Sequence, residues 1–141
     1  MRRFLYDLWF VYVDDEGFDH SFHIGFFSSF GKVKETIGAL KGKPGFRDHP
    51  ITCFEYSRFG VELPAEAKKE NLCLFVPWYE SENDDGSYDW AVFGAFVSEK
   101  DAEAELEKQK KKKEFRGRGD CFSLDSDRVD LVGWQEGFTS Y

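Results

Sequence analysis

No run of apolar residues in this chain approaches the ~18 that a membrane-crossing helix needs. The segment after Met1-Arg2-Arg3 alternates apolar and polar residues and lacks the small-residue cleavage region of a secretory leader. Both absences point to a cytoplasmic protein. Cysteine is scarce as well. Cys53, Cys73 and Cys121 are an odd number with no C-x-x-C pair, which argues against a disulfide framework and against a structural zinc site. They read as small thiols, buried or half-buried. An excess of basic residues is also missing. Residues 1–69 carry ten Lys/Arg against ten Asp/Glu, and residues 70–141 carry nine against seventeen, so the whole net charge of -8 sits in the second half. A protein that binds nucleic acid has the opposite balance. An acidic surface of this kind suits solubility or a basic protein partner.

What is present is a core-forming composition: 41% hydrophobic and 18% aromatic residues in 141 are ample for a packed interior. The chain is also written twice. At an offset of 69 residues Trp9 meets Trp78, Gly17 meets Gly86, Gly25 meets Gly94, Phe27 meets Phe96, Phe46 meets Phe115 and Arg47 meets Arg116. After a one-residue deletion the offset becomes 68, where Cys53-Phe54 meets Cys121-Phe122 and Val61-Glu62-Leu63 meets Val129-Asp130-Leu131. A tandem duplication is the reading, with repeats at 1–63 and 71–141 and a connector at 64–70.

Each repeat has the same plan. "FLYDLWFVYV" and "SFHIGFFSS" in the first repeat, and "NLCLFVPWYE" and "WAVFGAFVS" in the second, are aromatic and β-branched runs separated by a polar, glycine-containing gap, the pattern of a hairpin. A helix follows in each. Val33, Ile37 and Leu40 are spaced for one helical face after the N-cap candidate Ser29, while Ser98-Glu99-Lys100-Asp101 resembles a capping box. "CFEYS" and "CFSLD" then alternate as a third strand, and "VDLVGWQEGF" adds a final strand or an ordered tail. Strand, strand, helix, strand in about 65 residues hides too little surface to stand comfortably alone. The expected fold is therefore α+β, with two repeats packed as a pseudo-dimer and antiparallel sheet carrying two helices. Phe22, Ile24 and Phe26 are assigned to the helix-covered face of the first hairpin. His23, Gly25 and Phe27 fall on the other face, where the second repeat offers Trp90, Val92, Gly94 and Phe96. Trp9 and Trp78 share that second face. It has to be covered by the other repeat or by a homodimer, or else it is an aromatic binding surface.

The stretch "ENDDGSYD", Glu82 to Asp89, looks like a metal loop. An EF-hand would need an acid at Ser81 and a bidentate Glu at Val92, and neither is there. The repeat aligns Gly86 with Gly17, so both stretches are hairpin turns, where Gly, Asp and Asn need no ligand to explain them. "KQKKKK" with Arg116 and Arg118 has the composition of a nucleic-acid or nuclear-targeting patch, but the neighbouring acids cancel much of its field and it reads as the solvated, dipole-complementing end of a helix. The "RGD" at Arg118 to Asp120 has no extracellular context. His20 and His23, three apart on a strand, point to opposite faces and do not chelate one ion, and His49 stands alone in a loop. With no nucleophile context either, the chain reads as non-enzymatic, without cofactor or metal.

The run Ile24-Gly25-Phe26-Phe27-Ser28-Ser29, the segment Pro44-Gly45-Phe46-Arg47-Asp48-His49-Pro50 and the closing Trp134-Gln135-Glu136-Gly137-Phe138 together resemble an uncharacterised bacterial family of small α+β domains. The resemblance implies a hairpin, a helix ending in P-G-F-x-x-x-P, a further strand and a W-x-E-G-F tail, and no activity. The two motifs are split between the repeats: the first keeps P-G-F and the second keeps the tail. Size, acidity and aromatic content are also similar to those of immunity proteins, which present an acidic surface to a basic toxin. On that reading Asp84, Asp85, Asp89, Asp125, Asp127 and Asp130 supply the acids, and Trp78, Trp90 or Trp134 the apolar anchor. The alternative is a small-molecule or peptide sensor using a cleft between the repeats.

Overall fold

A computed structural model of the protein describes residues 1–64, 66–69 and 72–139. The connector at 64–70 lies partly outside them. The fold is α+β, with two three-stranded antiparallel sheets and two helices. It divides into two compact units, Met1–Asn71 with Arg128–Tyr141, and Leu72–Asp127. No helix among the described residues is long and apolar enough to cross a membrane.

In the first unit β1 (Arg2–Val13), β2 (Asp19–Phe27) and β3 (Phe54–Glu62) form a sheet in the order β2-β1-β3, and α1 (Phe30–Leu40) follows β2. Ser29 caps α1 as its position implies, its hydroxyl accepting from the Lys32 amide at 3.2 Å. Val33 and Leu40 from the helix and Leu8, Phe10 and Tyr12 from β1 build the core, with Phe46 and Phe54 closing it. Phe10 is its centre, with ring centroids 4.9 Å from Phe46 and 4.8 Å from Phe54.

The face assignment of β2 is corrected by a β-bulge. Leu8 pairs with Gly25 but Trp9 pairs with His23, so Ile24 is an extra residue on β2. One inserted residue moves every later side chain to the opposite face. Gly25 and Phe27 therefore join Ile24 and Phe22 on the helix side. Phe26 turns to the other face beside His23 and Phe59.

The larger departure concerns the C-terminal residues. The repeat places 71–141 in one copy, yet residues 128–139 group with the first unit. After Arg128, which ends a strand of the second sheet, residues 129–139 form a tail and no strand. Sequence kinship between Val61-Glu62-Leu63 and Val129-Asp130-Leu131 does not carry over into conformation. Val61 and Glu62 end a strand and Leu63 after it is buried, whereas Asp130 is left-handed at φ 67° and Leu131 is exposed. The tail runs along β2, an edge strand of its sheet. The Asp130 amide donates to the Phe26 carbonyl at 2.7 Å and the Gly133 amide to the Ile24 carbonyl at 2.7 Å, covering the edge that an unprotected strand would expose. Gly25 permits this approach, since a Cβ there would stand 2.7 Å from the Leu131 carbonyl oxygen.

The Asp130 carboxylate fixes the tail by accepting from the Ser28 amide (2.9 Å) and the Ser28 hydroxyl (2.8 Å). Ser28 is buried. Asp130→Ala strands both donors, and the expected cost in chemical denaturation is about 1–3 kcal/mol. Ser28→Ala, which keeps the amide bond, costs less.

In the second unit β4 (Cys73–Glu82), β5 (Tyr88–Val92) and β6 (Phe122–Arg128) form a sheet in the order β5-β4-β6, with α2 (Glu99–Lys110) between β5 and β6 in sequence. Ser98 caps α2 through the Asp101 amide. Glu99 and Asp101 stand in its first turn and Lys108 and Lys110 in its last, complementing the helix dipole. Ala102 and Leu106 are its buried apolar residues. Short 3-10 turns at Lys113–Phe115 and Gly119–Cys121 stand where the first unit has Phe46–Asp48 and Ile51–Cys53. The strand expected through "WAVFGAFVS" stops at Val92, and Phe96 makes only an isolated bridge to Phe75.

Candidate functional site

The two hairpin turns do what their composition implies. At the first, Asp14 Oδ1 accepts from the Glu16 and Phe18 amides, with Gly17 left-handed at φ 88°. At the second, Asn83 and Ser87 close the turn, Asp85 Oδ1 accepts from the Ser87 amide and hydroxyl, and Gly86 is left-handed at φ 84°. No group of three metal-ligating side chains occurs among the described residues.

His20 and His23 are held apart on the two faces of β2, each by its own carboxylate. His20 donates to Asp14 at 2.8 Å and His23 to Asp7 at 2.7 Å. The His20 bond, with the Phe18 amide next, holds the Asp14 carboxyl below the ordinary carboxylate range. A depressed folded value stabilises the fold above the unfolded carboxylate pKa of ~3.9, and the contribution is lost as pH falls through the folded value. The Tm deficit of Asp14→Ala is therefore expected in full near neutrality and to vanish in acid. His49 is not isolated: its ring stacks on Tyr12 with centroids 3.9 Å apart. Cys73 is exposed rather than half-buried, while Cys53 and Cys121 are half-buried.

The first unit joins the two motifs that the sequence splits. Phe138, from W-x-E-G-F, packs among Phe46 of P-G-F (4.9 Å), Phe22 (4.5 Å), Phe10 (5.8 Å) and Tyr12 (5.9 Å). Its amide donates to the Pro44 carbonyl at 2.9 Å. The motif glycines interlock: a Cβ on Gly45 would meet Phe138, and one on Gly137 would meet Pro44.

The second unit builds the same aromatic triad, with Phe93 packed on Phe115 and Phe122 at 5.9 and 5.8 Å. Tyr79, Phe115 and Phe122 sit 4.6, 5.0 and 5.3 Å apart, in the places of Phe10, Phe46 and Phe54. Beside them is a cleft of about 300 Å³ lined by Tyr79, Asp89, Trp90, Ala91, Glu114, Phe115 and Arg118. Its volume stands at the low end of ligand pockets. Arg118 donates to the Tyr79 hydroxyl at 2.9 Å, and that bond, with Asp89 acting at longer range, holds the guanidinium firmly charged. Polar groups of both signs thus rim an aromatic floor.

The residues expected at a partner surface divide accordingly. Asp89 and Trp90 line the cleft, and Trp90 is 60% exposed. Asp84 and Asp85 stand at the adjoining hairpin tip. Asp125 and Asp127 are on β6, the opposite edge of the sheet from β5. Trp78 is half-buried in β4, its indole N–H without an acceptor among the described residues. Asp130 and Trp134 belong to the first unit. Asp130 is bonded to Ser28, and Trp134, left-handed at φ 61°, packs on Phe22 at 4.7 Å. Tyr79, Glu114, Phe115 and Arg118 were not among the expected residues. The contrast between the aligned repeats points to them, since the ring pair is kept while Gly45 becomes Glu114 and Phe22 becomes Ala91.

The chain matches no protein-family model, no curated protein and no solved structure.

Proposed function

We propose that this protein is a non-catalytic protein-binding module that takes a basic partner at the hairpin and cleft of its second unit. One observation carries the reading: a cleft with an aromatic floor adjoins a hairpin whose charge is all of one sign. Between Glu80 and Val92 the chain has Glu80, Glu82, Asp84, Asp85 and Asp89 and no Lys or Arg. Tyr88, Trp90 and Val92 on β5 are exposed among them. Exposed aromatics beside carboxylates are the composition of an interface that steers a cation and anchors it apolarly. That chemistry is similar to the immunity-protein strategy. The docking of P-G-F against W-x-E-G-F supports the resemblance to a family defined by the two motifs, and the repeated element order supports a tandem duplication.

Titrating the full chain with a lysine-rich peptide tests the proposal. Binding is expected to weaken at high salt and to fall about tenfold in a D84K/D85K/D89K variant, the loss of a few screened charge contacts. Binding that ignores the triple reversal refutes it. The cleft volume favours one second reading, a small-molecule site. A metabolite that binds there raises the Tm through RT ln(1 + [L]/Kd). This cleft lies inside the second unit.

A further inference from the structure

We infer that the cleft of the second unit receives an aromatic side chain carried on a basic peptide segment of the partner, in the way the groove of the first unit receives Phe138. The inference rests on the protein-binding reading above and specifies what is bound.

The repeat register supplies the argument. In the first unit Phe138 touches Phe10, Phe22, Phe46 and His49, and its backbone lies against Gly45. At the offset of 69 residues these positions are Tyr79, Ala91, Phe115, Arg118 and Glu114. All five line the cleft. The second unit has therefore kept the two rings that form the floor of the groove, and the tail that fills the first groove is already seated there. Among the described residues of the second unit no segment fills the second groove, and about 300 Å³ remains beside Tyr79 and Phe115.

The changed residues define the occupant. Ala91 in place of Phe22, and Ser81 in place of Tyr12, remove two rings that narrow the first groove. The second therefore has room for a ring as large as phenylalanine or tryptophan. Glu114 in place of Gly45 forbids the close backbone approach that Gly45 allows Phe138, so the chain's own acidic tail sequence is a poor match. Asp89 lines the cleft and belongs to the hairpin, which adds four more carboxylates and no lysine or arginine between Glu80 and Val92, whereas Glu114 follows Lys110 to Lys113 and precedes Arg116 and Arg118. The hairpin side of the cleft is therefore the side that favours lysine or arginine next to the inserted ring. Peptide recognition of this kind uses one buried aromatic anchor and a charged rim.

The test uses the full chain and two short lysine-rich probe peptides that differ only in a central Phe or Ala, with binding followed by fluorescence anisotropy. The Phe peptide is expected to bind about tenfold or more tightly than the Ala peptide, the effect of one buried aromatic anchor. Ala91→Trp, which fills the cleft, is expected to remove that preference, so that the two peptides bind alike. Asp89→Asn weakens both peptides, and an unaltered melting curve shows that each variant is folded. Equal binding of the two peptides, with the D84K/D85K/D89K effect intact, overturns this inference and leaves the acidic-surface proposal standing. Failure of both peptides to bind at about 1 mM, beyond a Kd of biological use, overturns both. Sedimentation showing a dimer that Ala91→Trp dissociates assigns the cleft to a second copy of the chain and also overturns the inference.

Discussion

Phe138→Ala is expected to lower the free energy of unfolding by about 2–4 kcal/mol in chemical denaturation. Here the ring is packed against Phe10, Phe22 and Phe46, and the backbone amide is bonded to Pro44. Removing it opens a cavity beside Phe10, which is fully buried. Phe10→Ala alone is expected to cost about 3–5 kcal/mol. The double variant should lose less than the sum, because residues in contact share the same cavity. A loss below about 0.5 kcal/mol for Phe138→Ala, the size of an ordinary surface change, would sink the docked-tail account.

The second large effect is expected at Gly45. Its φ of 83° with ψ of -58° is the strained γ-turn conformation, which costs an alanine about 1–3 kcal/mol. A Cβ there also meets the Phe138 carbonyl and ring, so the tail has to move. Gly45→Ala should therefore destabilise by about 2–4 kcal/mol, conformational strain plus much of what the tail contributes. Gly86→Ala is the control. Gly86 has nearly the same φ, 84°, with nothing near its absent Cβ, so only about 1–2 kcal/mol is expected. If the two glycines cost the same in thermal or urea melts, steric interlock between the two motifs is refuted and backbone conformation alone explains both.

The elements were largely legible from the residues. Ser29 and Ser98 cap their helices as read, because an N-cap needs only a hydroxyl and the next few amides. The acidic stretch "ENDDGSYD" is a turn, because the repeated Gly17 and Gly86 both occupy the left-handed region that a tight hairpin needs. The face assignment of β2 failed for a local reason. Ile24, Phe26 and Phe27 are all apolar, so alternation gives no sign of an inserted residue, and pairing with β1 alone reveals the bulge. The candidate site was half legible. Asp89 and Trp90 were expected at a partner surface and line the cleft, whereas Arg118 was read as a solvated charge of the basic run and within an RGD tripeptide. Its bond to Tyr79 spans 39 positions, and no local pattern encodes a partner that distant.

By itself, then, the sequence determined the α+β class, the hairpins, the capped helices and the register that aligns Phe46 with Phe115. Each of these follows from propensities and spacings within a few residues. Tertiary structure decided where the last residues go. "VDLVGWQEGF" belongs to the second repeat in sequence but packs with the first unit, since Phe46, Gly45 and Ser28 there match Phe138, Gly137 and Asp130 in shape and hydrogen bonding. That choice depends on non-local packing, which short-range patterns do not carry. It leaves one aromatic groove filled and its counterpart, beside the acidic hairpin, with a cleft.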